Sequence, residues 1–216
     1  MQKKKLIIFP FNGNGREALD CINYDLFDFI GFADDDTSKK SDLYPLYTRD
    51  ILTKQKELFV LAVPGSSTSF TKRKGIIDSL NISPNRFISA IHPNASIGKT
   101  VFIGYNCLIM AGVVLTSNCV IKNHVCVLPN SVIHHDTVIN EFTLIGSNVV
   151  IAGSTTIGSS CYIGSGSNII NGISIEDNCL IGLGSNVIHS TEPDSKMVGN
   201  PARNINKKSF LLTAEN

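Results

Sequence analysis

A large aliphatic residue recurs at every sixth position through the second half of this chain. An α-helix buries residues at a spacing of about 3.6 and a flat strand at a spacing of about 2, so neither explains a strict period of six. A short fixed period is typical of repeat architectures, in which each unit stacks on the next. Seventeen consecutive positions follow the rule: Ile91, Ile97, Ile103, Ile109, Leu115, Ile121, Val127, Ile133, Ile139, Ile145, Ile151, Ile157, Ile163, Ile169, Ile175, Ile181 and Val187.

Each six-residue unit combines one short strand with one tight corner. Three residues after the large aliphatic residue, Asn, Gly or Asp is frequent, and these types tolerate the left-handed backbone angles of a corner. The following residue is small or β-branched. We therefore predict a parallel β-helix whose triangular coils contain three units and stack about 4.8 Å apart. The small inward position includes four cysteines that we predict to be core residues rather than metal or redox sites, namely Cys107, Cys119, Cys161 and Cys179.

Residues 1–88 follow a different pattern, in which strands alternate with helices. The segments KLIIFPF, FIGFADDD, LFVLAVPG and RFISAIH read as four strands, and GNGREALDCINYD and SFTKRKGIIDSL as helical segments. This alternation predicts a small, Rossmann-like parallel α/β domain. Its first turn, Gly13 to Ala18, matches GxGxxA, and Asp34 follows at the spacing of a dinucleotide fingerprint. Because the domain is about half of a full dinucleotide fold, a nucleotide or nucleotide-sugar is the favoured ligand over a nicotinamide cofactor.

The composition argues against several classes of function. The net charge is +1 and 17% of the 216 residues are charged, which gives no basic field for nucleic acid or an anionic membrane. No apolar run approaches the roughly 20 residues of a membrane span. The opening MQKKKLIIFPFNGNG reads as a first strand rather than a signal peptide. Six cysteines without CxxC spacing predict a cytoplasmic protein with reduced thiols.

The segment SVIHHDTVINEF places two histidines and an aspartate within the repeat. The period predicts that His134 faces outward and that His135 and Asp136 lie at a corner, with Gly153 one coil further along the same column. A histidine beside an accessible backbone N–H suits acyl transfer, in which the imidazole takes a proton and the N–H stabilises an oxyanion. Exposed corner residues without a catalytic role are the alternative. A zinc site is disfavoured, because His124 falls on another face and no three histidines converge in one chain.

Taken together, GNGREALD, GFADDD, AIHPNASIG, HHDTVINEF and MVGNPAR make nearly the whole chain resemble the NeuD/PglD-type two-domain sugar acetyltransferases. The resemblance implies a nucleotide-sugar-binding α/β domain at 1–88, a left-handed β-helix at 89–190 and a coenzyme loop and tail at 191–216. It implies a cytoplasmic bacterial homotrimer that binds acetyl-CoA between adjacent β-helices, without a metal. It also implies N-acetylation of a UDP- or dTDP-linked 4-amino-4,6-dideoxy sugar for surface glycan or O-antigen (lipopolysaccharide) synthesis. Sugar O-acetylation of the sialic-acid type is the alternative, and a non-catalytic β-helix a more remote one.

The resemblance also assigns roles to residues. It implies that His135 is the catalytic base and that Asp136 polarises it. It implies two further groups of residues: coenzyme contacts at Gly153, Ser165, Leu183, Asn200, Pro201 and Ala202, and nucleotide-sugar contacts at Gly13, Asn14, Gly15, Asp34 and Asp35.

Three positions depart from the pattern of this family. Leu144 stands where many relatives have a second histidine near the coenzyme sulfur, and Leu128 where an asparagine is frequent. Phe9 to Asn12 replaces small residues at the end of the first strand. We expect these departures to change how the coenzyme and the nucleotide are contacted, but not to change the base.

Overall fold

The computed structural model describes residues 2–206. Its N-terminal region contains one parallel four-stranded sheet with strand order β3-β2-β1-β4. The strands are β1 (Lys4–Phe9), β2 (Phe27–Asp34), β3 (Leu46–Thr48) and β4 (Phe59–Ala62). The α-helices are α1 (Gly13–Glu17), α2 (Ile51–Lys54) and α3 (Arg73–Asp78), and 3-10 turns span Ala18–Cys21, Phe70–Lys72 and Pro84–Arg86. This is the predicted α/β region, while its description as Rossmann-like stays a prediction.

The fourth strand of this sheet is not the segment predicted from the sequence. Leu46–Thr48 fills that place by pairing in parallel with the end of β2. The predicted segment RFISAIH makes only one bridge to β4, between Phe87 and Val60. Its residues Ala90–Ile91 instead form the first strand of the repeat and pair with Leu108–Ile109 in the second coil. The segment therefore connects the two regions, because its hydrophobic residues are shared between them.

Seventeen two-residue strands follow and form the predicted parallel β-helix. Strands that are 18 residues apart pair in register, as in Val132 with Val150 and Ile133 with Ile151. The strands are β5 (Ala90–Ile91), β6 (Ser96–Ile97), β7 (Phe102–Ile103), β8 (Leu108–Ile109), β9 (Val114–Leu115), β10 (Val120–Ile121), β11 (Cys126–Val127), β12 (Val132–Ile133), β13 (Val138–Ile139), β14 (Leu144–Ile145), β15 (Val150–Ile151), β16 (Thr156–Ile157), β17 (Tyr162–Ile163), β18 (Asn168–Ile169), β19 (Ser174–Ile175), β20 (Leu180–Ile181) and β21 (Asn186–Val187). A hairpin of β22 (Lys196–Gly199) and β23 (Ala202–Asn204) extends one sheet.

The strands form three faces of a prism. Face 1 contains β5, β8, β11, β14, β17, β20 and the hairpin, face 2 runs from β6 to β21, and face 3 from β7 to β19. Left-handed corners separate the faces, with φ of 60° at Asn118 and 59° at Asp136. From Ile109 onward the large aliphatic residues are buried in one core, and Ile103 is partly buried against it. Ile91 and Ile97, at the open N-terminal end, are 39% and 36% exposed.

Small inward residues connect successive coils through hydrogen bonds. The hydroxyl of Ser131 donates to the carbonyl of Gly146 at 2.6 Å, and that of Thr143 to Gly158 at 2.8 Å. The thiol of Cys119 makes the equivalent bond to the carbonyl of His134 at 3.0 Å. Buried polar groups must be paired, and this arrangement pairs them inside the prism. The prediction of inward small residues and core thiols is therefore confirmed.

Face 1 carries the α/β domain. Its outward side chains at 18-residue spacing join the hydrophobic cluster of that domain, which includes Leu6, Ile8 and Leu61; they are Leu108, Cys126, Leu144, Tyr162 and Leu180. The buried side chain of Asn106 bonds both backbone groups of Ala62, at 2.7 Å to its N–H and 2.8 Å to its carbonyl. Face 1 is thus an internal interface, and this leaves the edges beside face 2 for chemistry. Within residues 2–206, no helix is long and apolar enough to cross a membrane.

Candidate active site

His135 lies at the corner between β12 on face 2 and β13 on face 3. We call this corner column the histidine edge; its members are Ser117, His135, Gly153, Asn171 and His189. The side chain of His135 is 61% exposed. Its Nδ1 lies 2.8 Å from Oδ2 of Asp136. The imidazole therefore faces outward, as the repeat predicted, and is accessible to a reactant.

Asp136 fixes the orientation of this imidazole. Its Oδ1 accepts a hydrogen bond from the side-chain amide of Asn118, one coil earlier, at 3.0 Å. That bond, followed by the bond from His135, lowers the pKa of the Asp136 carboxyl below its ordinary value of 3.8. An ionised carboxylate can only accept, so Nδ1 of the neutral imidazole carries the proton and Nε2 keeps a free lone pair. This is the tautomer that a general base needs.

Gly153 gives the imidazole its space. A Cβ atom at this position would lie 2.6 Å from both Cε1 and Nε2 of His135, which is closer than real Cβ contacts. The ring therefore covers the backbone of Gly153, and any larger residue would displace it. Within the described residues, the N–H of Gly153 donates to no acceptor. A base and an unbonded amide are consequently neighbours at one edge.

The other histidines do not join this arrangement. His124 is buried on the edge between faces 3 and 1, where it stacks on Phe142 at 4.6 Å and its Nδ1 lies 2.8 Å from the amide nitrogen of Asn106. Burial, followed by the charge of Arg73, lowers the pKa of His124 from 6.5 to about 4. His92 and His189 lie in the first and last coils. Among residues 2–206, no group of three His, Cys, Asp or Glu residues is placed to hold a metal ion.

A cavity of about 420 Å³ lies where the α/β domain meets face 1. We call it the junction pocket. The turn after β1 and the loop after β4 form one wall, and outward residues of face 1 form the other; the lining is Asn12, Gly13, Asn14, Gly65, Ser66, Ser67, Leu128, Leu144, Ile145, Gly146 and Tyr162. None of these residues has a charged side chain. The pocket is therefore neutral, with one polar and one apolar wall.

The predicted nucleotide-sugar residues divide between two places. Gly13 and Asn14 line the junction pocket, while Gly15 packs under the turn, where a Cβ would collide with the carbonyl of Pro10. Asp34 is buried, and its Oδ2 accepts from the N–H of Phe11 and from Lys39, both at 2.8 Å. Asp35 pairs with Arg49 beside a separate cavity of about 450 Å³. The structure thus uses Asp34 to brace the turn, and a ligand role for it stays a prediction.

The predicted coenzyme residues also lie on more than one edge. Gly153 belongs to the histidine edge, whereas Ser165 and Leu183 follow the glycines of the edge between faces 1 and 2. Leu183 is 70% exposed, and the Ser165 hydroxyl accepts from the N–H of Ser147 at 3.0 Å. Asn200 and Pro201 form the turn of the β22–β23 hairpin, and Ala202 begins β23. One chain does not bring all of these residues together.

Sequence reasoning missed most of the junction pocket. The sequence predicts Gly65 only as the end of a strand, and it indicates no role for Ser66, Ser67 or Tyr162. A signal was present for Tyr162, because outward positions at 18-residue spacing are apolar on face 1. Leu128 and Leu144, noted as departures from the family pattern, both line this pocket. The departures therefore fall together in space.

Comparisons with known proteins agree with this architecture. The model of the family "hexapeptide repeat of succinyl-transferase" matches residues 94–129 and 172–191. No curated protein matches the chain in sequence. The fold is similar to the acetyltransferase domain of PglB from Neisseria gonorrhoeae, solved with acetyl coenzyme A, at a TM-score of 0.82 and 21% identity over 94% of this chain and 100% of that chain.

Two further solved structures share the two-part fold. PerB from Caulobacter crescentus, solved with CoA and GDP-perosamine, is similar at a TM-score of 0.79 and 19% identity over 93% of this chain and 96% of that chain. WeeI from Acinetobacter baumannii is similar at a TM-score of 0.66 and 21% identity over 94% of this chain and 100% of that chain. The resemblance to hexapeptide-repeat sugar acetyltransferases predicted from the sequence is confirmed by these similarities. Coenzyme A occurs in two of these structures, in agreement with the predicted co-substrate.

Proposed function

We propose that the protein is an acetyl-CoA-dependent N-acetyltransferase that acts on the amino group of a nucleotide-linked 4-amino-4,6-dideoxy sugar. The observation that carries this proposal is the exposed imidazole of His135, held by Asp136 at 2.8 Å over the backbone of Gly153. A base that is oriented by a carboxylate and lies beside an unbonded amide suits acyl transfer from a thioester. The acetyltransferases with similar folds support the same reaction class.

In the proposed reaction, the neutral amine nitrogen of the sugar attacks the carbonyl carbon of the acetyl thioester. Nε2 of His135 accepts the proton that the nitrogen loses, while Asp136 stabilises the resulting imidazolium. General-base assistance of this kind contributes about 10²–10⁴ in rate. The thioester is already activated, so the amine attacks directly and no covalent enzyme intermediate forms.

The N–H of Gly153 is the proposed donor to the oxyanion of the tetrahedral intermediate. Collapse of this intermediate breaks the carbon–sulfur bond and leaves the amide on the sugar. The departing thiolate of coenzyme A takes the proton from the imidazolium, which restores the base. A single preorganised donor at such an oxyanion is worth about 10²–10³ in rate.

The junction pocket is the proposed site of the nucleotide-linked sugar. It lies at the carboxyl ends of β1 and β4, where ligands bind in open α/β sheets. In one chain, the whole of face 2 separates this pocket from the histidine edge. We therefore propose a homotrimer of left-handed β-helices in which the histidine edge of one protomer meets the pocket of the next, with acetyl-CoA between them. The half-buried valines on faces 2 and 3, such as Val132 and Val138, suit contacts between protomers.

The proposal is tested by assaying purified protein with acetyl-CoA and a panel of acceptors. The panel contains UDP-, GDP- and dTDP-linked 4-amino-4,6-dideoxy sugars and matched sugars with a hydroxyl in place of the amine. Release of the coenzyme thiol with the amino sugars, and not with the matched hydroxyl sugars, is the expected result. Transfer only to hydroxyls would make the protein an O-acetyltransferase, and no transfer to any member would refute the proposed activity.

A further inference from the structure

Arg73, at the start of α3, is a fully buried residue with a charged side chain, at 0% exposure. Its Nη2 donates to the carbonyl of His124 at 2.7 Å, and its Nε reaches the same oxygen at 3.3 Å. Its Nη1 donates to the carbonyl of Pro64. The guanidinium therefore bridges face 1 of the β-helix and the loop that follows β4.

This buried charge has no anionic partner among residues 2–206. The side chain closest to it in the hydrogen-bond network is Cys126, whose Sγ lies 3.2 Å from Nη2. Burial is the main influence on Cys126 and raises the pKa of its thiol, so the group stays neutral. Burying a guanidinium without a counter-ion is costly, and the carbonyl oxygens compensate for it only in part. A hydrophobic side chain would suffice if the position served packing alone.

The bond to Pro64 sets the direction of the next amide group. In a planar trans peptide, the C=O and the following N–H point to opposite sides. Because the carbonyl of Pro64 faces Arg73, the N–H of Gly65 points away from the guanidinium. A hydrogen bond from a cation to the carbonyl also polarises the peptide and makes this N–H a better donor.

The amides of this loop are unused within the described part of the chain. The N–H groups of Gly65, Ser66 and Ser67 donate to no acceptor there, although all three residues line the junction pocket. Arg73 stands directly behind Gly65, since a Cβ on that glycine would lie 3.7 Å from Cδ of Arg73. The pocket wall thus combines free amides with a positive charge behind it.

The position of the loop in the sheet also points to a ligand site. In the order β3-β2-β1-β4, the chain leaves β1 towards β2 on one side and reaches β4 on the other. Ligands of open α/β sheets bind at such a reversal of strand order. No lining residue of the pocket is cationic, so an anionic ligand would have to be recognised by backbone amides and by the charge of Arg73.

We propose that Arg73 is a positioning residue and a buried counter-charge for the diphosphate of the nucleotide-linked substrate. It orients the Pro64–Gly65 peptide so that the amides of Gly65, Ser66 and Ser67 bind phosphate oxygens in the junction pocket. This inference rests on the proposed function, because it specifies how that substrate is held. It adds a residue that touches neither the acetyl group nor the base.

The test measures binding of UDP, GDP and dTDP, and of the corresponding nucleosides, by calorimetry with wild type, Arg73→Lys and Arg73→Met. We expect Arg73→Met to weaken diphosphate binding by about 10-fold or more, the effect of losing a charge-assisted hydrogen bond. Nucleoside binding should change far less, because it involves no phosphate. In assays, KM for the nucleotide sugar should rise, while KM for acetyl-CoA and kcat stay within about twofold.

A matched control separates this role from general damage to the domain junction. Asn106→Gly removes another buried side chain that ties the domain to face 1 and keeps the φ of 54° accessible. It should lower stability without a selective loss of diphosphate binding. Arg73→Lys keeps the charge but cannot donate hydrogen bonds to two carbonyls in the same geometry. We therefore expect a loss of diphosphate affinity that is intermediate between wild type and Arg73→Met.

Each outcome of this test decides a separate question. Failure of all three diphosphates to bind wild type would refute the proposed function itself. Diphosphate binding by folded Arg73→Met equal to wild type, or an equal loss for nucleosides, would overturn the role of Arg73. If Arg73→Met does not fold, Ser67→Pro removes one of the free amides without touching Arg73, and unchanged diphosphate binding in that variant would overturn the proposal.

Discussion

The histidine edge and the junction pocket are built in opposite ways. On the histidine edge, His135 and Asp136 are adjacent in sequence, and Gly153 follows one coil later. His135 and Asp136 are exposed, Gly153 is buried beneath the imidazole, and the repeat alone positions all three. The junction pocket combines loops after two distant strands with side chains of face 1, and its lining is neutral. One region offers a reactive group without a cavity, and the other offers a cavity without a titratable group.

Under the proposed function, this difference means that a single chain would contain two halves of a site rather than one complete site. The histidines make the same point, since His135 is solvent-accessible whereas His124 is buried between aromatic rings at the domain junction. Exposure leaves the first available for proton transfer, and burial keeps the second neutral. Catalysis therefore requires the edge of one molecule and the pocket of another, under the proposed function.

The largest expected effect is that of removing the base from the histidine edge. His135→Ala should lower kcat by about 10²–10⁴, because the amine loses its general base. The variant should stay folded, since the side chain is exposed and its backbone carbonyl still accepts from Ser154. Steady-state kinetics with both substrates checks this. His134→Ala is the matched control, and near wild-type turnover by His135→Ala would remove the residue as base.

Mixed assemblies test the division into two halves directly. Ser67→Trp should block the junction pocket without affecting the histidine edge. If sites form between protomers, assemblies refolded from His135→Ala and Ser67→Trp chains should regain activity that neither variant has alone. If each chain contained a complete site, mixing would restore nothing, and the histidine edge and the junction pocket would not complete each other across protomers.

A smaller but still large effect is expected for Gly153→Ala. The new Cβ would lie 2.6 Å from Nε2 of His135, so the ring must rotate away from its position. Because the ring is exposed, it can move at little cost to folding, but a displacement of this size costs about 10²-fold in rate. Steady-state kinetics measures the loss of rate, and thermal unfolding shows whether the stability has changed as well. Asn171→Ala, one coil further along the same edge, should retain activity.

Asp136→Asn should cause a more modest loss. The amide no longer stabilises the imidazolium by charge, and it can present a donor to Nδ1 that favours the wrong tautomer. A decrease in kcat of about 10-fold is expected for loss of such an orienting group. Asn118→Gly, which removes only the bond to Asp136 at 3.0 Å, should cause a smaller decrease. Measuring kcat for both variants in the same assay shows whether the decrease is larger for Asp136→Asn than for Asn118→Gly.

The same contrast explains what the sequence could predict. A strict period of six specifies which residues point inward and which lie at corners, so the core cysteines and the place of His135 beside Gly153 followed from the spacing. The period describes neighbours within the prism, and every coil repeats it. The outward positions of face 1, such as Leu144 and Tyr162, are apolar in the sequence, which indicates that this face is covered. The spacing alone does not show which part of the chain covers it.

The α/β region has no such period, and prediction was weaker there. Leu46–Thr48 was missed as a strand because three residues at a sheet edge carry almost no pattern, whereas RFISAIH has a strand pattern but is divided between two regions. The junction pocket depends on contacts between residues far apart in the chain, such as Gly65 with Leu144. Arg73 is an extreme case, because an arginine in a basic helical segment is expected in solvent until the partner carbonyls are known.

The smallest expected effect is a change in the pH dependence of stability at the domain junction. His124 has a folded-state pKa of about 4, below its ordinary 6.5, chiefly because it is buried. Between these values the unfolded chain binds a proton that the folded chain does not, so stability is complete above about pH 6.5 and falls as the pH falls towards 4. The loss amounts to at most about 3 kcal/mol over this window.

His124→Phe keeps an aromatic ring beside Phe142 but cannot titrate, so its unfolding free energy should fall less steeply in denaturant titrations at successive pH values. His189→Ala removes an exposed histidine and serves as the control. A slope in His124→Phe equal to that of wild type would show that His124 does not couple the junction to pH, and that the contrast with His135 is one of position only.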